Sequence, residues 1–203
     1  MSVTAFLTDS TLCIGCKACE VACKEWNQLE DDGFDWRGFS YDNTGALGHS
    51  TWRHVKFVEG GAVPGFGGNA PGAFSWGFSS DVCKHCENAG CLEACPTGAI
   101  VRTEFGGVFI QPDVCNGCAY CVVSCPFGVV EKNASDGRAF KCTFCYDRQK
   151  AGLKPACATA CPTDSIKFGE IDELREEAQH RLSKLQNDGF NATVGSDVRG
   201  WLL

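Results

Sequence analysis

Residues 13–23 read Cys13-Ile14-Gly15-Cys16-Lys17-Ala18-Cys19-Glu20-Val21-Ala22-Cys23, a C-x2-C-x2-C-x3-C run. Residues 115–125 repeat the spacing with Cys115, Cys118, Cys121 and Cys125. Outward from these runs, the other eight cysteines form two looser quartets: Cys83, Cys86, Cys91, Cys95 and Cys142, Cys145, Cys157, Cys161. One gap widens to four residues in the first of these and to eleven in the second, from Tyr146 to Ala156. Pro96, Pro126 and Pro162 follow the last cysteine of groups two, three and four, whereas Lys24 holds that place in group one. A fourfold internal repeat therefore organises the chain.

The spacing has a chemical reason. Three cysteines three residues apart wrap a turn around one cubane and offer it three thiolates, while the fourth starts a segment that leads to a neighbouring cluster. Proline after the fourth cysteine stops the turn from continuing as helix. A structural zinc site takes two separated pairs of ligands, so a third cysteine at the same spacing is surplus to it. A disulfide framework is also disfavoured, because Met1 to Leu12 has neither a basic segment nor an apolar one and no secretory signal is expected. Sixteen cysteines in 203 residues thus read as ligands of four [4Fe–4S] clusters.

Composition removes other classes. The formal charge is −7 and the Lys and Arg residues are scattered, so nucleic-acid binding is not expected. The apolar runs are far shorter than the ~20 residues a membrane helix needs, so no membrane span of its own is expected. With every thiol ionised on iron, the loaded chain carries about −15, which backbone N–H groups and lysines must offset locally. No Ser–His–Asp set, phosphate loop or dinucleotide fingerprint occurs, so no catalytic residue is assigned. His49, His54 and His180 fit no ligand spacing, and His85, inside group two, reads as structural or as a tuner of a cluster.

The expected architecture is α+β, with two interleaved ferredoxin-like units, long loop insertions and a C-terminal helix. Groups two and three are joined by a hairpin, Ile100–Glu104 and Val108–Gln111 around Phe105-Gly106-Gly107. They make an inner unit over residues 81–139. Groups one and four close an outer unit, 1–23 plus 140–169, with strands near Thr4–Thr8 and Ser165–Gly169. Residues 24–80 form an insertion read as an irregular loop, rich in aromatics (Trp26, Phe34, Trp36, Phe39, Tyr41, Trp52, Phe57, Phe66, Phe74, Trp76, Phe78) and with a Gly/Pro run from Gly60 to Gly72. It is expected to shield clusters and to dock a partner. Residues 170–203 hold an amphipathic helix, Ile171–Asn187, with Leu174, Ala178, Leu182 and Leu185 on one face, a Glu177–Arg181 pair, and Gly189 as its stop. The tail ending Trp201-Leu202-Leu203 either joins a partner or frays.

The run Cys13 to Asn27, with Cys91-Leu-Glu-Ala-Cys95-Pro-Thr-Gly-Ala-Ile100 and Lys141-Cys142-Thr-Phe-Cys145-Tyr-Asp147-Arg148, resembles the iron–sulfur (beta) subunits of molybdopterin oxidoreductases of the dimethyl-sulfoxide-reductase family. Asp42-Asn43-Thr44, Thr51-Trp52-Arg53-His54 and Pro155-Ala-Cys157 with Cys161-Pro-Thr163 and Phe168-Gly169 look most like the formate dehydrogenase beta subunit. The resemblance implies four ligand sets: Cys13, Cys16, Cys19, Cys161; Cys23, Cys142, Cys145, Cys157; Cys83, Cys86, Cys91, Cys125; and Cys95, Cys115, Cys118, Cys121. It further implies an electron-transfer subunit serving a large molybdenum or tungsten pterin catalytic subunit, with a cytochrome b or diaphorase as acceptor. The alternatives are the matching subunit of a thiosulfate, polysulfide or sulfoxide reductase, or a free polyferredoxin. The membrane-bound relatives carry a C-terminal transmembrane helix that is not found before Leu203. The implied location is the cytoplasm, the membrane through a partner, or export with a partner.

Iron and acid-labile sulfide analysis of the anaerobically purified chain is expected to give about sixteen of each per chain, and zinc in their place would contradict the reading.

Overall fold

The computed structural model of the chain describes residues 2–33, 38, 41–61, 74–195 and 200–202. Its fold is α+β, with strands and helices numbered in order along the sequence, and the packing starts from one short strand. In β1 (Thr4–Thr8), successive side chains point to opposite faces. Ala5 and Leu7 pack with Leu174 and Ala178 of α6 (Ile171–Asn187). Phe6 turns the other way, into the larger core that holds the cysteines, and meets Phe144 and Phe168 edge-on at 5.0 and 5.5 Å between centroids.

β8 (Ile166–Glu170) pairs antiparallel with β1, from Thr4 opposite Glu170 to Thr8 opposite Ile166. This joins the segment before group one to the segment after group four, as the spacing predicts. β9 (Gly200–Leu202) adds to the other edge of β1 in parallel, so this part of the tail completes a three-stranded sheet. Leu203 lies outside the described residues. Between groups two and three, β4 (Ile100–Arg102) and β5 (Val108–Ile110) form the expected hairpin, with Ile100 opposite Ile110. The N–H of Thr4 donates to the Phe105 carbonyl at 3.0 Å and ties that hairpin's turn to β1. A smaller hairpin, β6 (Glu131–Lys132) with β7 (Ala139–Phe140), lies between groups three and four.

The residue after each fourth cysteine sets helix length. α2 (Gly90–Glu93), α3 (Tyr120–Val123) and α5 (Ala156–Thr159) run four residues each, stopping short of Cys95-Pro96, Cys125-Pro126 and Cys161-Pro162. In group one Lys24 replaces proline, and α1 (Ala18–Asn27) runs on for ten residues. The Lys24 ammonium then holds the insertion, at 3.0 Å from the carbonyls of Glu30 and Ser50 and from the Asp32 carboxylate. Burial works to raise the Asp32 carboxyl, but the hydroxyls of Ser50 and Thr51 and the charge of Lys24 outweigh it and bring it to about 2. α4 (Tyr146–Lys150) fills the wide gap of group four.

The structure corrects two expectations. The insertion is not an irregular loop: it contains an antiparallel hairpin of two nine-residue strands, β2 (Arg53–Gly61) and β3 (Phe74–Val82). Val55 and Phe57 turn inward and Lys56 and Val58 outward, the period of a half-buried strand. Tyr41, Phe57, Trp76 and Phe78 pack as one aromatic cluster, with centroids 4.7 to 6.0 Å apart. Phe34, Trp36, Phe39, Phe66 and most of the Gly60–Gly72 run lie outside the described residues. Helix α6 has the predicted bounds, yet Glu177 and Arg181 do not pair with each other. Glu177 bonds Lys167 of β8, and Arg181 donates to the buried Asp9 at 2.8 Å. The buried Asp9 carboxylate, just past β1, gives Arg181 a less screened partner than a solvent-facing glutamate along the helix. Among the described residues, no helix is long and apolar enough to cross a membrane.

Candidate metal centres

The two regular quartets share a backbone. Gly15 and Lys17 have φ of 67° and 58°, and the equivalent Gly117 and Ala119 have 72° and 64°. Alternation of right- and left-handed residues turns successive N–H groups inward and makes a concavity for an anion. A helix starts directly after each, carrying the third cysteine. Group two uses His85 (φ 45°), and group four uses Phe144 (62°) and Cys145 (48°). After the fourth cysteine a second turn repeats as Cys-Pro-x with a left-handed residue at Gly98, Gly128 and Asp164. Hydroxyls add to the backbone. Thr97 and Thr163, each two residues past a fourth cysteine, lie 3.6 and 3.8 Å from the sulfurs of Cys95 and Cys161, and Ser80 lies 3.5 Å from that of Cys19.

None of the sixteen cysteines is in a disulfide, so all are available as ligands. The fold gathers them across groups as well as within them. Cys13 lies in the field of Cys161 and Cys16. Cys23 faces Cys157 and Cys145, and Cys142 faces Cys23. Cys86 and Cys91 both face Cys83 and Cys125. Cys121 faces Cys115, Cys118 and Cys95, and those four line one small concavity. Cys19 departs from this order, since its foremost sulfur neighbour is Cys157. Cys142 likewise lies near Cys83. Of the four histidines, His54 bonds Asp42 at 2.8 Å and His49 bonds Glu131 at 2.8 Å. His85 is buried, stacks on Phe144 at 4.4 Å and accepts the Val108 N–H at 3.0 Å.

Electrostatics shows what these sets require. Burial first, then the neighbouring sulfurs, push the thiols of Cys23 to about 12 and of Cys145 to about 11, and that of Cys142 well above the ordinary thiol value. Burial also takes Cys19 and Cys91 to about 11, against the pull of Arg53 and Lys141. Cys95 goes the other way: burial opposes ionisation, but the Thr97 hydroxyl and the N–H groups of Thr97, Ala99 and Ile100 outweigh it. Thiols crowded this way become thiolates only on a strongly attracting soft metal centre. Among the described residues, no three His, Cys, Asp or Glu side chains converge on one point as single-ion ligands do. A cubane asks for something wider, since each thiolate binds its own iron at a separate corner. The quartets therefore fit [4Fe–4S] clusters.

Sequence reasoning missed two parts of these sites. Arg53 and Lys141 are buried cations beside the cysteines, and the signal for Lys141 was its place next to Cys142. Thr97 and Thr163 were legible as a repeated Cys-Pro-Thr.

Fold and site define a double dicluster iron–sulfur protein. Residues 12–99 and 74–171 each match a 4Fe-4S dicluster domain family, and the chain carries four [4Fe–4S] clusters. It is 37% identical over 172 residues to the B subunit of the anaerobic dimethyl sulfoxide reductase of Escherichia coli, covering 85% of this chain and 76% of that one. It is 42% identical over 187 residues to the iron-sulfur subunit of the nitrate-inducible formate dehydrogenase of Escherichia coli, covering 92% and 60%, and 39% identical to the formate dehydrogenase iron-sulfur subunit of Haemophilus influenzae, covering 92% and 57%. The chain thus belongs to this family of iron–sulfur subunits of molybdopterin oxidoreductases. It spans about 60% of the length of the formate dehydrogenase subunits it matches.

At Gly117 the backbone is tight: an added Cβ would lie 2.2 Å from the Gly137 carbonyl oxygen. Gly117→Ala is expected to cost the clash and about 1–2 kcal/mol for the left-handed backbone. The purified variant should lose about four irons per chain, and full iron content would contradict this.

Proposed function

We propose that this chain is the electron-transfer subunit between a molybdenum or tungsten pterin catalytic subunit, of the formate dehydrogenase kind, and a separate acceptor. The observation that carries this is the exposure of the cysteines. Only Cys16 and Cys118 are exposed, and they stand at the same position in the two regular quartets. Every other cysteine is at least partly covered, and Cys23, Cys142, Cys145 and Cys157 are all buried. An electron path with two surface ends and a dry middle has this pattern.

Cys13, Cys16, Cys19 and Cys161 would hold the first cluster, and Cys23, Cys142, Cys145 and Cys157 the second. Cys83, Cys86, Cys91 and Cys125 would hold the third, and Cys95, Cys115, Cys118 and Cys121 the fourth. The sulfur neighbourhoods support these sets, and the Cys19–Cys157 and Cys142–Cys83 proximities support the order, because they lie where adjoining sets meet. The outer unit (1–23 and 140–169) then encloses the inner one (81–139), an interleaving supported by the β1–β8 pairing. Residues 24–80 form the docking insertion and 170–203 the closing helix and tail.

When bound, each cluster takes up or gives up one electron. The protein's residues hold it, exclude water and balance its charge. No residue is assigned a bond-making role; formate would be oxidised on the large subunit. The acceptor would be a cytochrome b or diaphorase, and the complex would sit in the cytoplasm, at a membrane through a partner, or outside with an exported partner. The likeness to the dimethyl sulfoxide reductase subunit favours a second reading in which electrons run toward a sulfoxide or a related oxidised sulfur compound.

In the purified complex, Cys121→Ala is expected to lose one cluster's paramagnetic resonance signal and most transfer to the acceptor, while formate oxidation with an artificial dye persists. Equal loss of the dye activity with the large subunit still loaded would overturn the proposal, and dye-linked reduction of a sulfoxide instead would favour the second reading.

A further inference from the structure

Arg53 begins the inner half of the β2–β3 hairpin and is the largest fully buried side chain of the described residues, 1% exposed. A guanidinium stays ionised at any accessible pH, so the charge itself is buried. Such burial is costly unless a negative group answers it. Among the described residues no carboxylate pairs with it. Nη1 donates to the Ser80 hydroxyl at 2.9 Å, and that oxygen lies 3.5 Å from the sulfur of Cys19. One face of the guanidinium rests 4.8 Å from the centroid of Phe6. Nε and Nη2, both buried, have no hydrogen-bond partner among the described residues. Its negative neighbours are the sulfurs of Cys157, Cys19, Cys142 and Cys23, two quartets at once, and they outweigh the burial that opposes its charge.

We infer that Arg53 is the shared buried countercharge of the first two clusters, its free N–H donors directed at their sulfur, and that it sets their potentials together. This rests on the ligand sets proposed above. A cation held in a low-dielectric core favours the more negative, reduced form of each cluster near it, so it raises both potentials. The effect falls with distance. Lys141, buried beside Cys91, Cys86 and Cys142, stands near the third set instead, but its ammonium is occupied by the carbonyls of Val108 and Cys142. The two cations are therefore not equivalent: Lys141 braces the backbone, whereas Arg53 keeps donors for the clusters.

The test is a redox titration of the loaded complex followed by paramagnetic resonance, with signals assigned through Cys19→Ser and Cys157→Ser. Arg53→Gln is expected to lower the reduced-to-oxidised ratio of the first two clusters about tenfold at a fixed potential, a shift of about 59 mV for one electron. The third and fourth clusters should not move. Should Arg53→Gln load fewer than four clusters, Arg53→Lys decides: it keeps the charge, draws it back and gives up the fork, and should lower the same two potentials by a smaller factor. No change in the loaded variants, or an equal change in all four signals, overturns the inference. Failure of the ligand sets is separately visible, because Cys13→Ser and Cys161→Ser would then alter different signals whatever Arg53 does.

Discussion

Repulsion among sixteen closely set sulfurs is the constraint on which this structure depends. The buried thiols of Cys23 and Cys142 are raised twice over, by the loss of water and by the charge of their neighbours. Metal binding reverses this locally but leaves each site a net anion inside a small core. The chain must therefore supply positive character at every quartet without spending residues on bulky ion pairs. Much of it comes from the backbone. Left-handed residues at Gly15 and Lys17, and again at Gly117 and Ala119, aim N–H groups at the place where thiolates gather. This costs no side chain and fits in a loop of three residues.

The same constraint accounts for how little regular structure lies near the sites. Three of the four cysteine helices have four residues, and proline prevents them from growing. Longer elements lie outside, where they hold the ends together: β1 against β8, α6 on the outer face of β1, and the β2–β3 hairpin over the first quartet. Phe78 of that hairpin packs against Gly15, where an added Cβ would lie 2.7 Å from the ring. The aromatics of the insertion thus cover the first site, while Tyr41 and Val58 remain more than half exposed beside that cover. Shielding and an accessible apolar surface come from the same insertion.

What was legible in the sequence follows from where its signals are local. The quartets, the β4–β5 hairpin, the β1 and β8 strands and both ends of α6 come from spacing, turn residues and periodicity within short windows, and the structure has them. The β2–β3 hairpin is not legible in the sequence because its strands are separated by a Gly/Pro run that reads as loop, and because the aromatics, which suggest shielding and docking, mask a period-two pattern. The Glu177–Arg181 pair was expected from i+4 geometry, but Asp9 and Lys167 are brought within reach only by folding. Arg53 was invisible for the same reason. Nothing in Thr51-Trp52-Arg53-His54 marks an arginine for burial, and its surroundings appear only when β2 brings it against sulfurs from groups one and four.

The central claim is that the fourth cysteine of each quartet crosses to another set, so that four local motifs become one path. The direct measurement is paramagnetic resonance of Cys13→Ser, Cys157→Ser and Cys161→Ser in the loaded chain. The account predicts that Cys161→Ser alters the same signal as Cys13→Ser and leaves unchanged the one altered by Cys157→Ser. If Cys161→Ser and Cys157→Ser altered one signal in common, the fourth quartet would hold its own cluster and the crossed path would be wrong.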